Sequence, residues 1–107
     1  MLTECKILVP VKRDSAVPSN PGEKHQDLSW SSFELALTEA FGGYTVGGGV
    51  FGARKGDSGK IVHDKFGVYY VAVEDYFKLR RILVDACHTF GQQYIYVSAA
   101  GRVELVC

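Results

Sequence analysis

The residues of this chain best suited to polar chemistry are His63 and Asp64, with Arg54, Lys55 and Lys65 close by. An imidazole titrates near neutral pH and can carry a proton, while a guanidinium or phenol steadies developing negative charge. Gly56-Asp57-Ser58-Gly59 has the composition of a hairpin turn, which brings Arg54 near His63. His63 is therefore the candidate acid/base, with Tyr70 or Arg54 orienting an oxyanion. Adjacent strand residues point to opposite faces, so His63 and Asp64 form no simple dyad. His25 and His88 lie far from His63 in sequence. Three histidines without helical or ladder spacing offer no metal site, and no cofactor motif is present.

Eight of the twelve glycines fall between Gly42 and Gly59. Glycine-rich loops cradle phosphate when a strand precedes them and a helix follows. Here Gly59-Lys60 is followed by Ile61, Arg54 stands five positions before Gly59, and strand-like sequence follows. The glycines fit a bulged strand and a tight hairpin instead. Glu74-Asp75 is explained as negative charge at a helix start.

Tyrosines carry the stronger signal. In Gln93–Ser98, Ile95 and Val97 share one face while Tyr94 and Tyr96 share the other. With Tyr69 or Tyr70 they would project from a sheet face that helices leave open, giving apolar area and a hydrogen-bonding tip. Their strands lack accompanying Lys or Arg, and twelve basic residues balance twelve acidic ones, so nucleic acid is not the expected partner. The candidate ligand or partner surface is Tyr44, Arg54, His63, Tyr70, Tyr94 and Tyr96.

The elements that must position these residues follow from periodicity. Cys5, Ile7, Val9 and Val11 alternate with Lys6, Leu8, Pro10 and Lys12, the pattern of a strand. Pro10 cannot donate to a ladder, so pairing there is one-sided or interrupted. Residues 14–27 read as a long loop rich in Pro, Ser, Asn and Gly. Trp30, Phe33, Leu37, Ala40 and Phe41 form one apolar stripe of a helix, with Asp27 or Ser29 to cap its start and Gly42 to stop it. Tyr44 to Phe51 suggests a glycine-loosened strand. Lys60–Val73 is a second one, and its apolar run Val68–Val73 implies burial on both faces and a central place. Leu79, Ile82, Leu83, Ala86 and Phe90 mark a second helix stopped at Gly91, and Val103–Val106 is a short last strand.

The two halves rhyme: each has a helix ending in Phe-Gly, then an aromatic strand. That order predicts a single α+β domain over residues 1–107, a ferredoxin-like βαββαβ two-layer sandwich with a short extra C-terminal strand. Trp30 and Phe33, Phe41-Gly42-Gly43-Tyr44-Thr45, Gly49-Val50-Phe51, Val62-His63-Asp64 and Phe90-Gly91-Gln92 together resemble a small bacterial family of unknown function, over about residues 28–97. The family has Trp where this chain has Phe51 and carries an export signal, which the first residues here are not expected to form. The resemblance brings no activity with it.

The first ten residues do not read as a signal peptide, and no stretch approaches the roughly 18 apolar residues of a membrane span. Three widely spaced cysteines fit reduced thiols, so a cytoplasmic setting is the expectation. Two functions stand. One is a small binding or interaction protein, a homodimer through its open sheet face with a small molecule or protein as partner. The other is a cofactor-independent small-molecule enzyme of the dimeric α+β barrel type, with His63 as acid/base.

Overall fold

The computed structural model describes residues 1–12, 27–56 and 58–107. Most of the expected loop at 14–27, including His25, lies outside the described residues. The elements are β1 (Thr3–Pro10), α1 (Asp27–Phe41), β2 (Thr45–Lys55), β3 (Ile61–Val73), α2 (Tyr76–Thr89), β4 (Ile95–Ala99) and β5 (Arg102–Val106). The strands form one sheet in the order β2-β3-β1-β4-β5, every neighbouring pair antiparallel. The molecule is thus α+β, with two helices against a five-stranded sheet among the described residues.

Alternation assigns each strand residue a layer. Cys5, Ile7 and Val9 of β1 are wholly buried, and Tyr69, Val71, Val73, Ile95, Val97 and Val106 join them beneath the helices. The helices answer with Phe33, Leu37, Leu79, Leu83 and Phe90. Trp30 lies over Gly67, where an added Cβ would sit 3.5 Å from its ring, and its centroid is 4.8 Å from that of Phe90. Burying such side chains contributes about 1.5–3 kcal/mol each, so this face carries most of the fold's stability.

β1, not β3, is the middle strand. β3 lies next to it inside the sheet, flanked by β2 and β1, and its apolar run is buried on both faces at Val68 and Tyr69, though Ala72 is exposed. Pro10 is matched with Phe66 of β3 alone, because the β4 register ends at Leu8. The glycine run does make a bulge: β2 advances three residues from Val46 to Gly49 while β3 advances two, and Gly48 takes φ +85°. α2 opens on Asp75, whose carboxylate accepts from the amides of Phe77 and Lys78. Gly42 (φ 86°) and Gly91 (φ 60°) follow the two helix ends in the left-handed conformation.

One expectation is overturned. Cys87 and Cys107 form a disulfide, and only Cys5 is free, buried against the core. Cys107 follows β5, which pairs with β4 and so returns the chain to the end of α2, a closeness that spacing along the sequence does not reveal.

Candidate functional site

The sheet face away from the helices holds a half-open groove of about 430 Å³. Register explains its composition. Leu8 lies opposite Val68 on one side and Tyr96 on the other, and Tyr96 lies opposite Leu105, so these side chains share the face. Pro10 opposite Phe66 and Gly52 opposite Asp64 extend it toward the β2–β3 hairpin. Gly52 leaves room for the neighbouring ring: a Cβ there would sit 3.0 Å from Phe66. Lys12, Gln92 and Tyr94 complete the rim.

The polar centre of the groove is an ion pair. Arg54 Nε donates to Asp64 Oδ2 at 2.8 Å, both side chains being partly shielded. Facing it are the phenol-bearing strands and Gln92, which is buried and donates through Nε2 to the backbone oxygens of Lys12 (2.8 Å) and Phe90 (3.2 Å). A flat apolar slot with aromatic walls, one cation–anion pair and a lysine at the edge suits a planar ring carrying a charged arm.

Of the residues singled out from sequence, Arg54, His63, Tyr94 and Tyr96 border this groove. The His63 side chain does not belong to its interior. His63 is exposed and stands opposite Ala53, so alternation sends its ring to the face opposite Arg54 and Asp64. The His63–Arg54–Tyr70 proton-transfer arrangement is therefore split across the sheet. Tyr70 shares the open face, though at the glycine bulge, where a Cβ on Gly47 would meet its ring. Tyr69, its neighbour, is the inward tyrosine, 3% exposed.

Tyr44 lies elsewhere. Its hydroxyl donates to Glu34 Oε1 at 3.1 Å, while Tyr69 donates to Glu34 Oε2 at 2.6 Å. Burial, then the bond to Glu34, pushes the Tyr69 hydroxyl far above its ordinary pKa, and the same bond raises Tyr44. These phenols are hydrogen-bond donors, not bases, and the cluster fastens α1 to the sheet. A comparable tie sits at the other end: Tyr76 and Arg80 of α2 both donate to Glu104 of β5. Those bonds lower the Glu104 carboxyl, while burial and then Glu104 push Tyr76 up to about 12. A cleft of about 610 Å³ opens beside it, but its Tyr76 and Glu104 already satisfy each other.

Sequence reasoning named Asp64 beside His63 but left it out of the candidate surface, and it missed Lys12 and Gln92 in the groove and Glu34 outside it. Asp64 was within reach: once the turn at Gly56–Gly59 is placed, the alternation that carries Arg54 onto one face carries Asp64 onto the same face. Among the described residues no group of three metal-ligating side chains gathers, and no helix is long and apolar enough to cross a membrane.

No family model and no curated protein matches this chain. Among solved structures it is similar in fold to a phage SAM lyase in complex with S-methyl-5'-thioadenosine, with a TM-score of 0.67 and 14% sequence identity. The match covers 98% of this chain and 88% of that one.

Proposed function

We propose that this protein is a cofactor-independent small-molecule enzyme whose open-face groove binds S-adenosylmethionine and cleaves it to S-methyl-5'-thioadenosine. The observation that carries this reading is the fold likeness to the phage SAM lyase across nearly the whole chain, coupled with a groove of fitting chemistry. Tyr94, Tyr96 and Phe66 offer faces on which an adenine stacks. Asp64 supplies negative charge for the sulfonium, and Lys12 or Arg54 receives the carboxylate of the aminobutyrate arm.

The chemistry asks little of a protein base. A sulfonium is already activated: as the arm's own carboxylate oxygen forms a bond to the carbon attached to sulfur, the carbon–sulfur bond breaks, the electron pair passes to sulfur, and a neutral thioether leaves beside the lactone closed from the arm. Catalysis then rests on positioning the arm and on displacing water from around the charges. The displacement of the His63 ring from the groove is no obstacle, because no protein proton shuttle is required.

The experiment is incubation of the purified chain with S-adenosylmethionine, with S-methyl-5'-thioadenosine followed by liquid chromatography and mass spectrometry. Thioether release that falls at least tenfold in Asp64→Asn and Tyr96→Ala supports the reading. Absence of both turnover and thioadenosine binding in the folded wild type overturns it.

A second copy of the chain is the proposed cover for the open face. Leu105, Val103 and Val50 remain exposed there beside Tyr94, an apolar surface well suited to a homodimer interface. Sedimentation equilibrium decides this, since a mass of one chain at micromolar concentration excludes it. The interlocking of the two strand-helix-strand halves, with β1 between β3 and β4, further supports a ferredoxin-like ancestry with β5 appended.

A further inference from the structure

We infer that Cys87 and Cys107 are a reversible thiol–disulfide pair that latches one wall of the groove, an inference whose ligand readout rests on the function proposed above. The disulfide joins α2 to the residue after β5, with Cα atoms 5.6 Å apart. β5 is an edge strand, paired with β4 alone. Two ties hold it on the helix side: the Tyr76 and Arg80 bonds to Glu104 at its middle, and the disulfide at its end. Between them stands Leu105, which faces the other way and forms part of the groove wall opposite Tyr96.

Gln92 links the pair to the groove a second time. Its backbone oxygen lies 3.1 Å from Cys87 Sγ and 3.9 Å from Cys107 Sγ, and its side chain holds Lys12 at the rim. In the disulfide neither sulfur has a proton to donate. In the dithiol each can donate to this carbonyl, so the change of state is felt at a residue that lines the groove.

The step is an ordinary exchange. A dithiol reductant attacks Cys107 Sγ, the sulfur of the exposed residue, and Cys87 leaves as a thiolate that takes a proton. The second reductant thiol then displaces Cys107, so two electrons and two protons pass to the protein and the reductant becomes a cyclic disulfide. With the covalent tie gone, Glu104 still anchors the strand's middle, and loosening is confined to Leu105–Cys107. Cys5, buried and raised in pKa by burial and then by Glu4, stays out of the exchange.

The test compares oxidised protein, protein reduced with dithiothreitol, and Cys107→Ser. Hydrogen exchange read at residues 105–107 is expected to quicken in the last two forms while β1 stays protected. Calorimetric binding of S-methyl-5'-thioadenosine is expected to weaken about tenfold in both, roughly 1.4 kcal/mol. Equal exchange at β5 in all three forms overturns the latch, as does failure of the two cysteines to oxidise with diamide. Faster exchange with equal thioadenosine binding overturns the coupling to the groove. If no form binds the thioadenosine but β5 loosens on reduction, the functional reading falls and the latch stands.

Discussion

Replacing Tyr69 with Phe removes one hydroxyl and leaves the ring in place. The structure says what that oxygen is worth. Tyr69 as a residue is 3% exposed, and its hydroxyl donates at 2.6 Å to a carboxylate that reaches down from α1. A hydrogen bond to a charged group contributes about 1.5–3 kcal/mol, the upper part of the range applying to shielded pairs. Tyr44 donates to the same carboxylate at 3.1 Å from an exposed position, where water competes for the bond and weakens its contribution. Tyr69→Phe should therefore cost about 2 kcal/mol, and Tyr44→Phe clearly less than Tyr69→Phe. Urea denaturation followed by circular dichroism measures both, with an unchanged slope expected because no surface is newly buried or exposed. Glu34→Ala strands the Tyr69 hydroxyl and should cost at least as much as Tyr69→Phe. In the double variant the two losses should fall short of their sum by at least 1 kcal/mol, the signature of a direct contact. Strict additivity, or a larger loss from Tyr44→Phe than from Tyr69→Phe, refutes the view that Glu34 fastens α1 through the buried phenol.

Two further outcomes follow from the same geometry. Tyr69 and Tyr76 keep their protons more tightly in the folded chain than the ordinary value of 10.0, Tyr76 up to about 12. Raised folded values mean that their stabilisation is whole below pH 10 and drains away as pH rises, through about 12 for Tyr76. The urea midpoint should thus hold from pH 8 to 10 and fall beyond it, and Tyr76→Phe should flatten part of that fall; a midpoint level to pH 12 contradicts the assignment. Gly48→Ala should cost about 1–2 kcal/mol through backbone strain alone, since φ is +85° and no atom lies within 4 Å of the new Cβ. A neutral effect in thermal melts would show that β2 shifts register to avoid the bulge.

Much of the architecture was legible because period and punctuation agreed. The Cys5-Ile7-Val9 alternation, the Trp30–Phe41 stripe and the two Phe-Gly helix ends each specify local conformation without help from distant residues. The tyrosine strand was equally readable: Tyr94 and Tyr96 face away from Ile95 and Val97, and the fold keeps them on the open side. Contacts made across the chain were not legible. Glu34 sits among polar helix positions, and nothing local says that Tyr69, thirty-five residues on, will meet it. The disulfide failed for the same reason. Cys87 looks like a small hydrophobe on a helix, and only the strand order brings Cys107 to it.

His63 illustrates a subtler limit. The residue type was the natural choice for proton transfer, and the hairpin does place its strand beside Arg54. Yet a strand has two faces, and a single step along β3 separates His63 from Asp64 by the thickness of the sheet. The same step divides the molecule's labour. On one face Ile7, Val71 and Val97 meet the helices and hold the fold together. On the other Leu8, Phe66 and Tyr96 form a floor that neither α1 nor α2 covers. Arg54 and Asp64 neutralise each other at the edge of that floor, so the sheet can carry charge there without losing its apolar character. A ligand with a ring and a charged arm satisfies both parts of such a surface at once. The rhyme between the halves builds the scaffold, and the departure from it, a glycine-loosened β2 against a tyrosine-bearing β4, gives the open face its shape and polarity.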